Sequence, residues 1–204
     1  MLLQFFKYIS ARYDAIVFAV EYTGYGPTHT LHPPSMPAAY DDVAKGIAHA
    51  KAAEPALPLL IWARSMGCAP VIRAVANNPA GFCAGLILES PFLSPLMTVF
   101  PFRLFFETDF ESIDEVQRLE KLPILFIHGE RDTVVPMWHS KRLFDLCGSA
   151  PKQLVLVPNG THNDLFGNAT NRAFVERELD NFALSYILSR QAHPDRLQRL
   201  STPA

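Results

Sequence analysis

Apolar and polar positions fall in blocks along this chain. Continuous apolar runs occur at 14–22 (DAIVFAVEY), 58–64 (PLLIWAR), 84–89 (AGLILE), 122–128 (LPILFIH) and 153–157 (QLVLV). Short runs without polar alternation predict strands buried on both faces. Segments of helical spacing separate them: 37–53, 66–77, a short one at EVQRL, 138–147 and about 170–190. Leu2, Phe5, Phe6, Ile9 and Tyr13 also recur at helical spacing, which predicts an N-terminal amphipathic helix packed on a core. Pro37 suits a first helical turn, and NNPAG ends the helix that begins at 66. Gly24 and Gly26 mark a turn, followed by a polar, proline-marked loop through Pro34.

Strands alternating with helices predict an α/β fold, a mostly parallel sheet covered by helices on both faces. The 204 residues suit one domain, 1–190, with an irregular apolar cap segment at 91–120 and a frayed tail at 191–204. There is no internal repeat and no low-complexity linker. In parallel sheets, ligands sit beyond the carboxyl ends of the strands, so residues just after each strand carry the most information.

Three such residues carry chemistry. Ser65 follows the run 58–64, Asp132 follows 122–128, and His162 follows 153–157. A serine, an acid and a histidine at successive strand ends, in that chain order, are the pattern of an α/β-hydrolase triad. Ala63-Arg64-Ser65-Met66-Gly67 reads as a variant of the Gly-x-Ser-x-Gly elbow, with alanine as the next smallest residue. A tight turn there lifts the Ser65 hydroxyl above the sheet and aims the Met66 N–H, at a helix N-terminus, toward a developing oxyanion. Each piece alone has a plain explanation: a helix cap, a turn aspartate, a loop histidine. Among the other histidines, His128 is expected to pack beneath the Asp132 loop and His139 to lie on a helix surface. His29, His32, His49 and His193 are expected to be solvated, and no pair has metal-ligand spacing.

Composition narrows the classes. A formal net charge of −2 gives no footprint for nucleic acid or an anionic surface. Cys68, Cys83 and Cys147 are odd in number and widely spaced, so they are expected to be reduced, buried thiols in a cytoplasmic setting. No apolar run reaches the ~18 residues of a membrane span. The first residues carry Lys7 and Arg12 and lack a small-residue cleavage pattern, unlike a signal peptide.

The segment PFLSPLMTVFPFRLFF, 91–106, is expected to line the substrate pocket through Phe92, Leu96, Met97, Phe100 and Phe102, with Phe105 and Phe106 beside them. Prolines 95 and 101 argue against a regular helix. Such a segment suits a fatty-acyl chain; the underside of a cap, or a membrane-touching patch, are the alternatives.

VEYTGYG, WARSMGCAPV, LILESPFLS, SIDEVQRLEKLPILFIHGERDTVV and VPNGTHND follow one another as in a known family. In these blocks the chain resembles the α/β-hydrolase-domain proteins that remove palmitate from cysteines, a branch often labelled serine-aminopeptidase-like. The resemblance implies the α/β-hydrolase fold, Ser65 as nucleophile, Asp132 as acid, His162 as base, and no cofactor. Its expected substrate is an acylated protein or a small acyl ester, with peripheral membrane contact. Family members have an earlier strand ending in a His-Gly-Asn-type loop, which supplies a second oxyanion donor. This sequence has no such stretch, nor the family's cysteine-rich N-terminus. It is therefore expected to be an N-terminally truncated member lacking the first strands, with a gap between the strands at 14–22 and 58–64. Three readings stay open: a palmitoyl-protein thioesterase, a peptidase or small-ester esterase on the same triad, and a catalytically impaired scaffold.

Overall fold

A computed structural model describes residues 2–78, 82–99 and 112–188 of the chain. These fall into two compact units, Met1–Ala56 and Leu57–Ala204. The cap positions Phe100, Phe102, Phe105 and Phe106 and the tail 191–204 lie outside the described residues.

The larger unit is built on a four-stranded parallel sheet in the order β1-β2-β3-β4. The strands are β1 (Leu60–Arg64), β2 (Gly85–Glu89), β3 (Ile124–Gly129) and β4 (Lys152–Val157). Each coincides with a continuous apolar run. The ladder pairs Arg64 with Glu89, Glu89 with Ile127, and Ile127 with Val155, so the carboxyl ends of all four strands share one edge. Every residue of β2 and β3 is buried. Helix α3 (Cys68–Ala76) links β1 to β2, α4 (Ser112–Glu115) precedes β3, and α5 (Trp138–Leu146) links β3 to β4. Crossovers of one hand between consecutive strands put such helices on one face, and α4 does pack against both α3 and α5. Helix α6 (Ala169–Phe182) packs against β4 and continues as a π-helical turn, Ala183–Leu188. The core is Leu86, Leu88, Ile124, Leu125, Phe126 and Ile127, none exposed to solvent; each such side chain stabilises the fold by about 1.5–3 kcal/mol. Cys68, Cys83 and Cys147 are all buried, free thiols.

The smaller unit holds α1 (Leu2–Tyr13) and α2 (Met36–Ala53). Ser35 caps α2 by accepting from the Ala38 N–H, and α1 ends where Asp14 takes φ +49°. Phe5, Phe6, Ile9 and Tyr13 of α1 are half-buried. Asp42 of α2 accepts from the Thr23 N–H at 2.6 Å and the Thr23 hydroxyl at 3.0 Å, fastening the loop to the helix.

The run 14–22 is not a strand, contrary to the reading of its sequence. An extended apolar segment becomes a strand only when a neighbour completes its hydrogen-bond ladder, and here the segment lies against a helix instead. Phe18 meets His49 edge-on at 5.8 Å. Val20 approaches Gly46 so closely that a Cβ there would sit 2.4 Å from its methyl. Phe18 and Val20 keep 41% and 42% of their surface exposed, unlike the strands of the sheet.

His139 of α5 also departs from expectation: it is fully buried and not on a helix surface. Its Nδ1 accepts from the Leu93 N–H at 3.3 Å, which puts the ring proton on Nε2. The Leu93 carbonyl in turn accepts from Ser112 and Ile113. One residue thus fastens the irregular segment after β2 to α4 and α5. Burial, with His128 nearby, pushes the His139 pKa down from 6.5 to about 4. The folded chain therefore binds fewer protons here than the unfolded chain. This contribution to stability is complete above pH 6.5 and is lost as pH falls toward about 4. We expect the urea midpoint of the wild type to fall across that window relative to His139→Asn, which keeps an acceptor for Leu93 but does not titrate. Parallel curves for the two proteins would contradict this.

Candidate functional site

β1 ends at Arg64, and a single turn, Ser65–Gly67, leads into α3. Ser65 takes φ +50°, a left-handed conformation that favours glycine. That conformation makes the sharp bend between Ala63 and Gly67. Beneath the bend the Cys68 thiol lies 3.6 Å from the Glu89 carbonyl, and burial raises its pKa, so it remains a neutral packing group. Met66 exposes its side chain, and its N–H belongs to the first turn, where amide donors have no helical partner.

Asp132 lies in the loop after β3, its carboxylate closed from solvent. Its Oδ1 accepts from the Val134 N–H at 2.9 Å and the Val135 N–H at 2.8 Å. Its Oδ2 lies 2.7 Å from His162 Nδ1 and 3.3 Å from His128 Nε2. His128 Nε2 also lies 2.7 Å from the Val135 carbonyl. A carbonyl can only accept, so Nε2 carries a proton, and Nδ1 lies 2.6 Å from the Ser140 hydroxyl. His128 thus packs beneath the Asp132 loop as its position suggested, as a donor. Burial works against the Asp132 charge, but hydrogen bonds from His128, His162 and the Val135 N–H outweigh it and hold the pKa well below the carboxylate range.

Two glycines bring the neighbouring loop into reach. A Cβ on Gly129, at the end of β3, would sit 2.4 Å from the Gly160 carbonyl oxygen. That same oxygen accepts from the Arg131 N–H at 2.8 Å. The loops carrying Asp132 and His162 are therefore joined backbone to backbone. Because Asp132 is ionised, His162 Nδ1 donates to it, and Nε2 is left as an acceptor. Ser65 Oγ lies 3.0 Å from that Nε2. The three residues read from successive strand ends thus form one continuous relay, Ser65 to His162 to Asp132.

The apolar candidates are less complete. Phe92 is buried, and Leu96 and Met97 are half-buried in a short turn, Leu96–Thr98. Arg64 and Glu89 were missed as site residues. Glu89 is buried at the end of β2, bonded to Trp62 and Arg64, and Arg64 also donates to the His162 carbonyl. The available signal was a lone carboxylate ending a run that is otherwise apolar.

Strain at Ser65 has a measurable consequence. Ser65→Gly and Ser65→Ala both lose the hydroxyl, but only glycine adopts φ +50° without a steric cost. We expect Ser65→Gly to be about 1 kcal/mol more stable than Ser65→Ala in urea unfolding. A Ser65→Ala more stable than Ser65→Gly by about 0.4–1 kcal/mol, the unfolded-chain entropy of glycine alone, would mean that the elbow stores no strain.

Comparison with known proteins adds context to this geometry. The family model described as "Serine aminopeptidase, S33" matches residues 5–107 and 105–168. Protein bem46 of Schizosaccharomyces pombe is 39% identical over 114 residues, covering 52% of this chain and 38% of that protein. Alpha/beta hydrolase domain-containing protein 17C of Homo sapiens is 27% identical over 185 residues, covering 87% of this chain and 54% of that protein. The chain thus spans 38% and 54% of the lengths of these two relatives. Among solved structures, Rv0554 from Mycobacterium tuberculosis has a TM-score of 0.63 at 13% identity, covering 81% of this chain and 78% of that one. The esterase domain of a Rhodothermus marinus protein has a TM-score of 0.56 at 21% identity, covering 72% of this chain and 68% of that chain.

Proposed function

The chain belongs to the serine aminopeptidase S33 family and has the α/β-hydrolase fold, and from that premise we propose that it is a serine hydrolase of acyl thioesters and esters, acting on palmitoyl-cysteine in proteins. The observation that carries this reading is the relay in which Ser65 Oγ lies 3.0 Å from His162 Nε2, and His162 Nδ1 2.7 Å from Asp132.

In the proposed reaction the Ser65 oxygen bonds to the acyl carbon as its proton passes to His162 Nε2. Asp132 stabilises the imidazolium that forms, and the Met66 N–H donates to the oxyanion. As the carbon–sulfur bond breaks, Nε2 returns the proton to the leaving thiol. Water then repeats the sequence on the acyl-serine, releasing the fatty acid and restoring the Ser65 hydroxyl.

The preference for a long acyl chain draws on two supports. The sequence blocks resemble those of depalmitoylating hydrolases, and the segment after β2 presents Phe92, Leu96 and Met97 close in sequence to Phe100 and Phe102. In this reading the substrate is an acylated protein or a small acyl ester, met in the cytoplasm at a membrane surface that the protein touches peripherally. No helix among the described residues is long and apolar enough to cross a membrane. The family's description favours a second reading, cleavage of aminoacyl amides on the same relay.

Initial rates on acyl thioesters from two to sixteen carbons, set beside aminoacyl amides, separate the two. We expect kcat/KM to rise by up to about fourfold per methylene until the pocket is full, since each buried methylene contributes about 0.8 kcal/mol. Ser65→Ala should lose at least about a thousandfold. Rates independent of chain length, or faster on amides, would contradict the acyl preference.

A further inference from the structure

His162 sits on a loop, and its ring is held from one side by Asp132. Its backbone has a separate anchor. The Arg64 guanidinium donates through Nη2 to the His162 carbonyl and, at 2.7 Å, to Asn163 Oδ1. Through Nε it donates to Glu89 Oε1 at 3.0 Å. Glu89 Oε2 accepts from Trp62 Nε1 at 3.1 Å, and the Trp62 ring lies 5.6 Å from that of Phe166, farther along the same loop. Trp62 and Arg64 are alternate residues of β1, so both point to one face of the sheet. Glu89 is the ladder partner of Arg64 on β2. Two adjacent strand ends thus build a platform under the His162 loop.

The choice of residues is not explained by stability. Burial raises the Glu89 pKa, and Arg64 and Trp62 only partly offset that. Apolar residues of similar volume usually serve stability as well as a buried ion pair or better. What the pair supplies is geometry. The rigid fork of an arginine fixes the directions of its donors, and a carboxylate beneath it fixes the fork. Arg64 also directly precedes Ser65, so one residue joins the backbone of the serine to the backbone of the histidine.

We propose that Glu89 and Arg64 are a positioning pair that sets His162 in register with Ser65 by anchoring the 160–167 loop to the ends of β1 and β2. The consequence for catalysis rests on the hydrolase reading above; the anchoring does not. Neither residue touches the reacting atoms. The charged groups facing His162 are Asp132 from the loop after β3, Glu89 from β2 and Arg64 from β1. Asp164, on its own loop, is turned to the Thr161 N–H at 2.6 Å.

The test uses the full chain with Glu89→Gln, Arg64→Lys and Arg64→Gln. Arg64 is 44% exposed in its side chain, so its variants are expected to fold even where Glu89→Gln does not. Amide hydrogen exchange should rise about tenfold or more across 160–167 while β3 stays protected. In turnover, kcat should fall by about 10- to 100-fold with KM nearly unchanged. A loss of folded protein would raise exchange in β3 together with 160–167. Unchanged exchange across 160–167, or exchange raised equally in β3, would overturn the proposal. Loop-specific exchange in a chain without Ser65-dependent turnover would support the anchoring and defeat only the hydrolase reading.

Discussion

The Asp132 carboxylate is closed from water, and four donors converge on it: two backbone amides, His128 and His162. A buried carboxylate is costly unless every oxygen is satisfied, and here both are. That constraint propagates. It keeps Asp132 ionised, which fixes the tautomer of His162, which leaves Nε2 free to accept from Ser65. It also explains His128, whose ring supplies one of those donors.

The parallel sheet makes this convergence possible. All four strands end on one edge, so residues from 65, 132 and 162 meet although nearly a hundred positions separate the first from the last. The close approach of Gly129 to Gly160 then joins the second and third loops. Ser65 takes a left-handed backbone at the point where a hydroxyl must stand clear of the sheet.

Much of this was legible in the sequence, for identifiable reasons. Strands buried on both faces leave continuous apolar runs, and four of the five runs are strands. The fifth, 14–22, is equally apolar, but strand formation depends on a ladder partner that the run itself does not encode. The residues of the relay were legible because strand ends are where a parallel sheet exposes chemistry. His139 was misread because its burial comes from Leu93, more than forty positions away. Arg64 and Glu89 were missed for a similar reason: their partners lie on other strands and on the His162 loop. The family match agrees with the α/β-hydrolase character of these sequence blocks.

The central claim is that Ser65 is an activated nucleophile. The most direct measurement is reaction of the chain with a fluorophosphonate probe, with the modified peptide mapped by mass spectrometry. The account predicts one adduct, on Ser65, lost in Ser65→Ala and strongly slowed in His162→Ala. A folded chain that gives no adduct, or one placed on another serine, would contradict it.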